Sequence, residues 1–233
     1  MSAQDALRDQ VVVVTGGFGA LGRAVAAQAM QAGARVVLVD QAAAPGDLAR
    51  DVLAFGGVDL ADADAARAAL AQAARYCGGI HALVNVAGGF QWERVEDGSV
   101  ATWDHLYSTN VRTALLASQA ALPHLLARGA GRIVNVGALA AAHAASGMGA
   151  YAAAKSGVAR LTEAMAEEFK DRGLTVNAVL PSVIDTAANR AAMPQGEPTR
   201  WVAAQALAAV IVFLLSPAAA AINGALIPVK GRG

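Results

Sequence analysis

The chain has 233 residues, room for one large domain or two small ones, and 56% of them are hydrophobic against 15% charged, so it can bury a sizeable core. Lys plus Arg and Asp plus Glu both number 18 and the isoelectric point is about 6.9, which leaves no basic footprint for nucleic acid or an anionic membrane surface. The one cysteine, Cys77, cannot form an internal disulfide and no Cys/His cluster has metal-ligand spacing, so a reducing compartment and a chemistry without metal are expected.

Short apolar runs alternate with long alanine-rich stretches along the chain. The spacing predicts strands at Val11 to Val14, Arg35 to Val39, Asp51 to Phe55, Ala82 to Val86, Arg132 to Val136, Thr175 to Leu180 and Ala225 to Val229. Helices are predicted near Ala20 to Ala32, Asp62 to Tyr76, Thr102 to Ala127, Tyr151 to Asp171 and Arg200 to Leu215. Runs of Val, Ile and Leu without alternation suit strands buried on both faces, and their regular interleaving with helices implies right-handed crossovers. The expectation is an α/β fold: one doubly wound, Rossmann-type domain over residues 1–233 with a mostly parallel seven-stranded sheet. The 60 alanines point to helices with small faces that pack closely.

Trp201 to Val229 contains no charge, yet it does not read as a membrane span. Ser216-Pro217 breaks any helix and Asn223-Gly224 makes a turn, so the longest clean helix falls short of the ~20 residues a bilayer needs. Leu207, Val210, Ile211 and Leu214 make the stripe of a helix docked on a core. Met1 to Gln10 carries Asp5, Arg8 and Asp9 before a short apolar run and does not resemble a signal peptide, so a cytoplasmic location is expected.

After the first strand comes Thr15-Gly16-Gly17-Phe18-Gly19-Ala20-Leu21-Gly22, then a helix. A diphosphate resting on backbone N–H groups at a helix N-terminus needs residues without side chains at the turn and at the closest approach, and Gly16, Gly19 and Gly22 meet that need. Asp40 ends the second strand, where an adenosine ribose would lie; its carboxylate can accept from both ribose hydroxyls and would repel a 2′-phosphate. The reading is a dinucleotide site preferring NAD(H) over NADP(H). Tyr151 and Lys155 stand at i and i+4 on one face of a predicted helix, about 6 Å apart at the backbone. A cation at that range, with a second from an oxidised nicotinamide, favours phenolate, so the Tyr151 pKa should fall from ~10 toward working pH and Tyr151 could act as general acid or base.

With Asp59, the turn Asn85-Val86-Ala87-Gly88, Asn110, and Pro181 followed by Ile184 and Thr186, these motifs stand in an order that resembles the short-chain dehydrogenase/reductase family over nearly the whole chain. The resemblance implies adenine contacts from Asp59 and Leu60 and a strand-four turn against the cofactor formed by Asn85, Ala87 and Gly88. It further implies that Asn110 holds a water in a proton relay, that Lys155 bonds the nicotinamide ribose, and that Ile184 and Thr186 hold the carboxamide near Pro181. Gly16, Phe18, Gly19, Ala20, Leu21 and Gly22 would cradle the diphosphate. Such proteins commonly form homodimers or homotetramers through their two long central helices, and the partner otherwise expected is a small-molecule substrate.

The family usually has a Ser thirteen positions before the Tyr, and here that position is Ala138, flanked by Gly137 and Leu139. Ser146 and His143 are the minor candidates for a replacement in the same loop. One branch, the dihydropteridine reductases, also lacks the Ser; Gly16 to Gly22, Val86 to Phe90, and the segment from Leu180 through Asn189-Arg190, Met193-Pro194 and Trp201 are similar to it. Asn85, Asn110 and Ser182 instead follow or depart from the broader family. Three readings stay open: an NAD(H)-dependent reductase of a small conjugated substrate such as a quinonoid dihydropteridine, a ketone or secondary-alcohol oxidoreductase, and a non-catalytic NAD-binding subunit or regulator.

Overall fold

In the computed structural model, which describes residues 5–49 and 52–232, the first valine run becomes strand β1 (Val11–Thr15) at the middle of a sheet. All five residues are buried because both faces are covered: Val12 and Val14 pack into one apolar cluster, Val11 and Val13 into another on the opposite side. Double coverage is why the run reads as unbroken valine. The chain continues through α1 (Ala20–Gln31), β2 (Arg35–Val39), β3 (Leu53–Phe55), α2 (Ala63–Cys77) and β4 (Ala82–Asn85). Then come α3 (Val100–Tyr107), α4 (Thr113–Leu126), β5 (Gly131–Val136), α5 (Gly149–Phe169), β6 (Leu174–Pro181), β7 (Ile184–Asp185), α6 (Ala187–Ala192), β8 (Val202–Ala203), α7 (Ala204–Leu215) and β9 (Leu226–Val229).

Seven strands form one sheet in the order β3-β2-β1-β4-β5-β6-β9, and every pairing is parallel. From β1 the chain steps outward to β2 and β3 on one side, then crosses back to β4 on the other. The switch point between β1 and β4 opens a crevice at the carboxyl ends of the strands, where such folds bind ligands. Helices α1 and α7 cover one face through Val25, Ala29, Leu207 and Ile211, while α2, α4 and α5 cover the other through Leu70, Leu125 and Met165. The fully buried Leu207, Ile211 and Leu214 each contribute about 2 kcal/mol of transfer free energy. Among the described residues no helix is long and apolar enough to cross a membrane.

Several element bounds differ from the sequence expectation. The start of the predicted strand at Asp51 and the first residues of the amino-terminal segment, Met1 to Gln4, lie outside the described residues. The single helix predicted over Thr102 to Ala127 begins at Val100, where the Ser99 side chain accepts from the Ala101 N–H, and is interrupted by a π-helical turn at Ser108–Arg112. Two side chains compete there for backbone carbonyls: Asn110 Nδ2 donates to the Leu106 carbonyl at 2.9 Å and Thr113 Oγ1 to that of Thr109 at 2.7 Å. The helix predicted from Arg200 starts at Ala204, because Val202–Ala203 pairs instead with Ile184–Asp185 in a second, two-stranded parallel sheet. Strand β4 stops at Asn85, one residue short of Val86, whose N–H turns to the Thr15 hydroxyl.

Candidate active site

Gly16, Gly17 and Gly22 fill the turn between β1 and α1 with no space to spare, whereas a Cβ on the exposed Gly19 would meet nothing nearer than the Gly16 carbonyl oxygen at 3.4 Å. Gly16 has a φ of +60°, and a Cβ there would lie 2.8 Å from the Ala87 nitrogen; one on Gly22 would lie 2.2 Å from the Gly16 carbonyl oxygen. Gly19 caps α1, whose first turn has neither a capping side chain nor an acidic residue, so its free N–H groups and positive dipole end suit an anion. Ala20 and Leu21 open that turn, Leu21 buried and Ala20 exposed. Gly17 belongs to the same cradle, since a Cβ there would press to 2.7 Å on the Leu38 Cβ.

Sequence reasoning left one residue of this region without a role. The Thr15 hydroxyl accepts from both the Val86 and Ala87 N–H groups at 3.1 Å and so fastens the glycine turn to the end of β4. Its position directly before the glycines was the available signal. Asp40 stands at the end of β2, its Oδ2 accepting from the Phe18 N–H at 3.0 Å and its Oδ1 from the Ala42 N–H at 3.0 Å. Asp59 accepts from the Ala61 N–H at 2.9 Å. Two of the expected residues have side chains that point away from a cofactor. The Leu60 side chain is buried in the apolar cluster under α2, so only its backbone can reach an adenine. The Asn85 side chain turns away from the crevice: its Nδ2 donates to Asn135 Oδ1 at 2.8 Å and to Ser118 Oγ at 3.0 Å, and Asn135 in turn donates to Thr162 Oγ1 at 2.9 Å. Asn85 therefore braces β4, α4, β5 and α5 from within.

The remaining residues of the β4 turn meet the catalytic candidates. A Cβ on Gly88 would lie 2.7 Å from Asn110 Oδ1 and 3.3 Å from Lys155 Nζ, so a glycine is needed for the three to meet. Asn110, buried in the π-helical turn, donates to the Gly89 carbonyl at 3.0 Å and accepts from the Gly89 N–H at 3.2 Å. Lys155 is buried and donates to the Val136 carbonyl at 2.9 Å, with its Nζ 5.9 Å from the centre of the Tyr151 ring. Burial pushes the Lys155 pKa down to about 8 and that of Tyr151 up to about 12. The lowered Tyr151 pKa expected from the i, i+4 spacing is thus not a property of the chain alone: desolvation outweighs the ammonium, which is aimed at Val136 rather than at the phenol.

Ala138 is only 5% exposed and its methyl stands where a hydroxyl was expected. Neither replacement candidate reaches inward. His143 is exposed, and Ser146 is an exposed loop residue whose carbonyl accepts from the Trp92 indole N–H at 3.0 Å. Phe90 does reach the site, its ring set edge-on to Tyr151 at 4.9 Å between centroids and 85° between planes.

Pro181 ends β6 in the buried sheet, and Ile184 packs from β7 against the core. Thr186 caps α6, its hydroxyl accepting from the Asn189 N–H at 3.1 Å, while Arg190 grips Asp185 through two bonds of 2.6 and 2.8 Å. Beyond it Trp201 lines an open cleft of about 400 Å³ with Ser182, Val183, Gln195, Glu197 and Arg200. Met193 is exposed. Among the described residues no group of three His, Cys, Asp or Glu side chains could hold a metal ion.

Comparison with known proteins supplies the family. The chain is 34% identical to 2-(S)-hydroxypropyl-CoM dehydrogenase 3 of Xanthobacter autotrophicus, over 97% of this chain and 96% of that protein. It is 36% identical to the inactive 2-(S)-hydroxypropyl-CoM dehydrogenase 2 of the same organism, over 89% and 98%. The solved structure of aldohexose dehydrogenase from Thermoplasma acidophilum superposes with a TM-score of 0.89 at 27% identity, covering 97% of this chain and 94% of that one. Residues 10–196 match the family model described as short chain dehydrogenase, and the chain belongs to the short-chain dehydrogenase/reductase family of oxidoreductases.

Proposed function

We propose that the chain is an NAD(H)-dependent reductase of a small conjugated substrate, with Tyr151 as proton donor and no second side-chain donor beside it. The observation that carries this reading is the buried methyl of Ala138, which stands thirteen positions before Tyr151 where a hydroxyl was expected. A carbonyl gathers negative charge on oxygen as it is reduced and profits from two donors; a conjugated C=N system spreads that charge and needs one. A quinonoid dihydropteridine is the specific candidate.

The cradle fits a nicotinamide dinucleotide. Gly16, Gly17 and Gly22 leave no room for a Cβ, and the bare N-terminus of α1 suits a diphosphate. When bound, that group supplies the hydride. Asp40, held by the Phe18 and Ala42 N–H groups, keeps lone pairs for the two hydroxyls of an adenosine ribose and opposes a 2′-phosphate, which supports NAD(H). Asp59, the backbone of Leu60, Ala87 and Gly88 would line the remainder, with Pro181, Ile184 and Thr186 at the carboxamide end. Lys155 has one bond, to Val136, and its other protons are available to ribose hydroxyls. Its charge also stabilises the phenolate that Tyr151 becomes after giving its proton to the substrate nitrogen or oxygen. Asn110 fixes the Gly89 backbone and, through its own turn, would hold the water that returns that proton.

A second reading is favoured by the relatives' names, which describe oxidation of alcohols: 2-(S)-hydroxypropyl-CoM, cis-4-hydroxycyclohexanecarboxylate and D-threitol. On that reading the substrate is a secondary alcohol or ketone held by Tyr151 alone. The proposal extends to one Rossmann-type domain acting in the cytoplasm, supported by the single free cysteine, and to a homodimer or homotetramer, supported by membership of the family. The test is NADH oxidation on a quinonoid dihydropterin and on small ketones by the wild type and Tyr151→Phe. The substitution keeps the ring and removes the proton, so turnover should fall at least ~100-fold with NADH affinity nearly unchanged. Full activity in Tyr151→Phe would overturn the assignment, and ketone reduction without pterin reduction would select the second reading.

A further inference from the structure

The segment between β4 and α3 contributes a side chain to this site that neither the cofactor nor the proton transfer uses. The Phe90 ring stands nearly perpendicular to the Tyr151 ring, in contact with it, and yet 59% of Phe90 remains exposed. An exposed aromatic ring at a reacting centre is apolar surface waiting for a partner. It is not loosely held. Two residues on, the Trp92 indole N–H donates to the Ser146 carbonyl at 3.0 Å, and its ring lies over Gly147, where a Cβ would come within 2.1 Å of it. Gly147 has a φ of +73°, and its carbonyl accepts from the Glu93 N–H at 2.8 Å. The Glu93 carboxylate in turn accepts from Gln91 Nε2 at 3.2 Å, from the Ser99 N–H and from the Thr102 hydroxyl, which ties the segment to the start of α3.

The contacts form a closed loop of positions. Gly147 stands just before α5, the helix that presents Tyr151, so the anchor at Trp92 and Glu93 sets the height of Phe90 on the Tyr151 ring. We propose that Phe90 determines specificity by stacking a flat, conjugated substrate ring beside Tyr151, with Trp92 and Glu93 as positioning residues that hold the platform rigid. The proposal rests on the reading of Tyr151 as the proton donor and deepens it by naming the substrate's shape. A platform ordered before binding saves the substrate the entropy of ordering it, and an aromatic face rewards a planar π system over a puckered saturated ring.

The two ideas are separated by measuring binding without turnover. The probe is a fully aromatic pterin, flat and not the quinonoid substrate, titrated by its fluorescence into protein saturated with NAD⁺, for wild type, Phe90→Leu, Phe90→Tyr and Gly147→Ala. Phe90→Leu keeps the apolar volume but removes the π face and should weaken the probe about tenfold, the upper end of what an aromatic pair adds beyond its buried area. Phe90→Tyr should bind within about twofold of wild type, and Gly147→Ala, whose methyl displaces Trp92, should weaken the probe severalfold with the Phe90 side chain still present. The unfolding midpoint of each variant reports that it is folded. Equal affinity in wild type and Phe90→Leu, or no binding of the flat probe to wild type, would overturn the proposal. Tyr151→Phe, tested beside them, should bind the probe normally while failing to turn over; if it turned over normally while Phe90 still governed binding, the proton donor would be wrong and the platform right.

Discussion

The two halves of the site are built from different materials. The proposed cofactor half is largely backbone: the ends of β1, β2 and β4, glycines that a single Cβ would displace, and a helix terminus without a side-chain cap, to which Asp40 and Lys155 add side chains. The proposed substrate half is side chain on loops: Phe90 and Trp92 on one, Ser146 and Gly147 on another. Backbone geometry at a strand end is inherited with the sheet, so a part made of it is hard to change. Loop side chains can be exchanged without touching the core, which is how one fold serves many substrates. The missing family hydroxyl, at Ala138, falls in the second half.

The contrast can be broken most sharply at Gly22. A Cβ there would lie 2.2 Å from the Gly16 carbonyl oxygen, so Gly22→Val must shift the turn, and NADH affinity should drop ~100-fold or more in a fluorescence titration. Affinity within a few-fold of wild type would mean that the cradle is not the cofactor site. A smaller effect sharpens the assignment of the β2 end. NADH should bind at least ~10-fold tighter than NADPH, because a 2′-phosphate would face the Asp40 carboxylate, and Asp40→Ala should narrow that ratio; equal affinities for the wild type would remove Asp40 from the site.

The smallest expected effect lies at the opposite end of the sheet and serves as a control. His81 Nδ1 accepts from the Val11 N–H at 2.9 Å, which only the neutral ring can do, and burial holds its pKa below the ordinary 6.5. Its contribution is therefore fully present above pH 6.5 and is lost as pH falls through the lowered folded value. Stability measured by denaturation should fall at that acid end, and His81→Ala should remove this part of the pH dependence. An unchanged slope in the variant would assign the acid sensitivity elsewhere.

Much of this was legible because it depends on strong local signals. Buried parallel strands must be apolar on both faces, so Val11 to Val14 and Arg132 to Val136 announced themselves, and a turn that tolerates no Cβ must be written in glycine. Which way a side chain points is another matter. Asn85 belongs to a motif against the crevice, but its side chain lies on the other face of the strand, where it meets Ser118 and Asn135; that choice is made by pairing register. The π-helical turn around Asn110 adds a single residue to a helix and leaves apolar periodicity almost unaltered. Spacing along a helix counts charges and not solvent, so it gives no sign that burial of the Tyr151 phenol pushes its pKa up in the chain by itself. Two-residue strands such as β7 and β8 are too short to leave a pattern at all.

The absent hydroxyl offers the most direct test of a site with one proton donor. The measurement is kcat/KM of wild type and Ala138→Ser, with NADH, on a quinonoid dihydropterin and on a panel of small ketones. If charge spreads over a conjugated C=N system, a donor at residue 138 meets no oxyanion, and the substitution should leave pterin reduction within a few-fold. Pterin reduction by neither protein, together with ketone reduction by the wild type that Ala138→Ser raises roughly 10-fold or more, would contradict the account, since a restored donor then stabilises an oxygen that the native enzyme already has to hold.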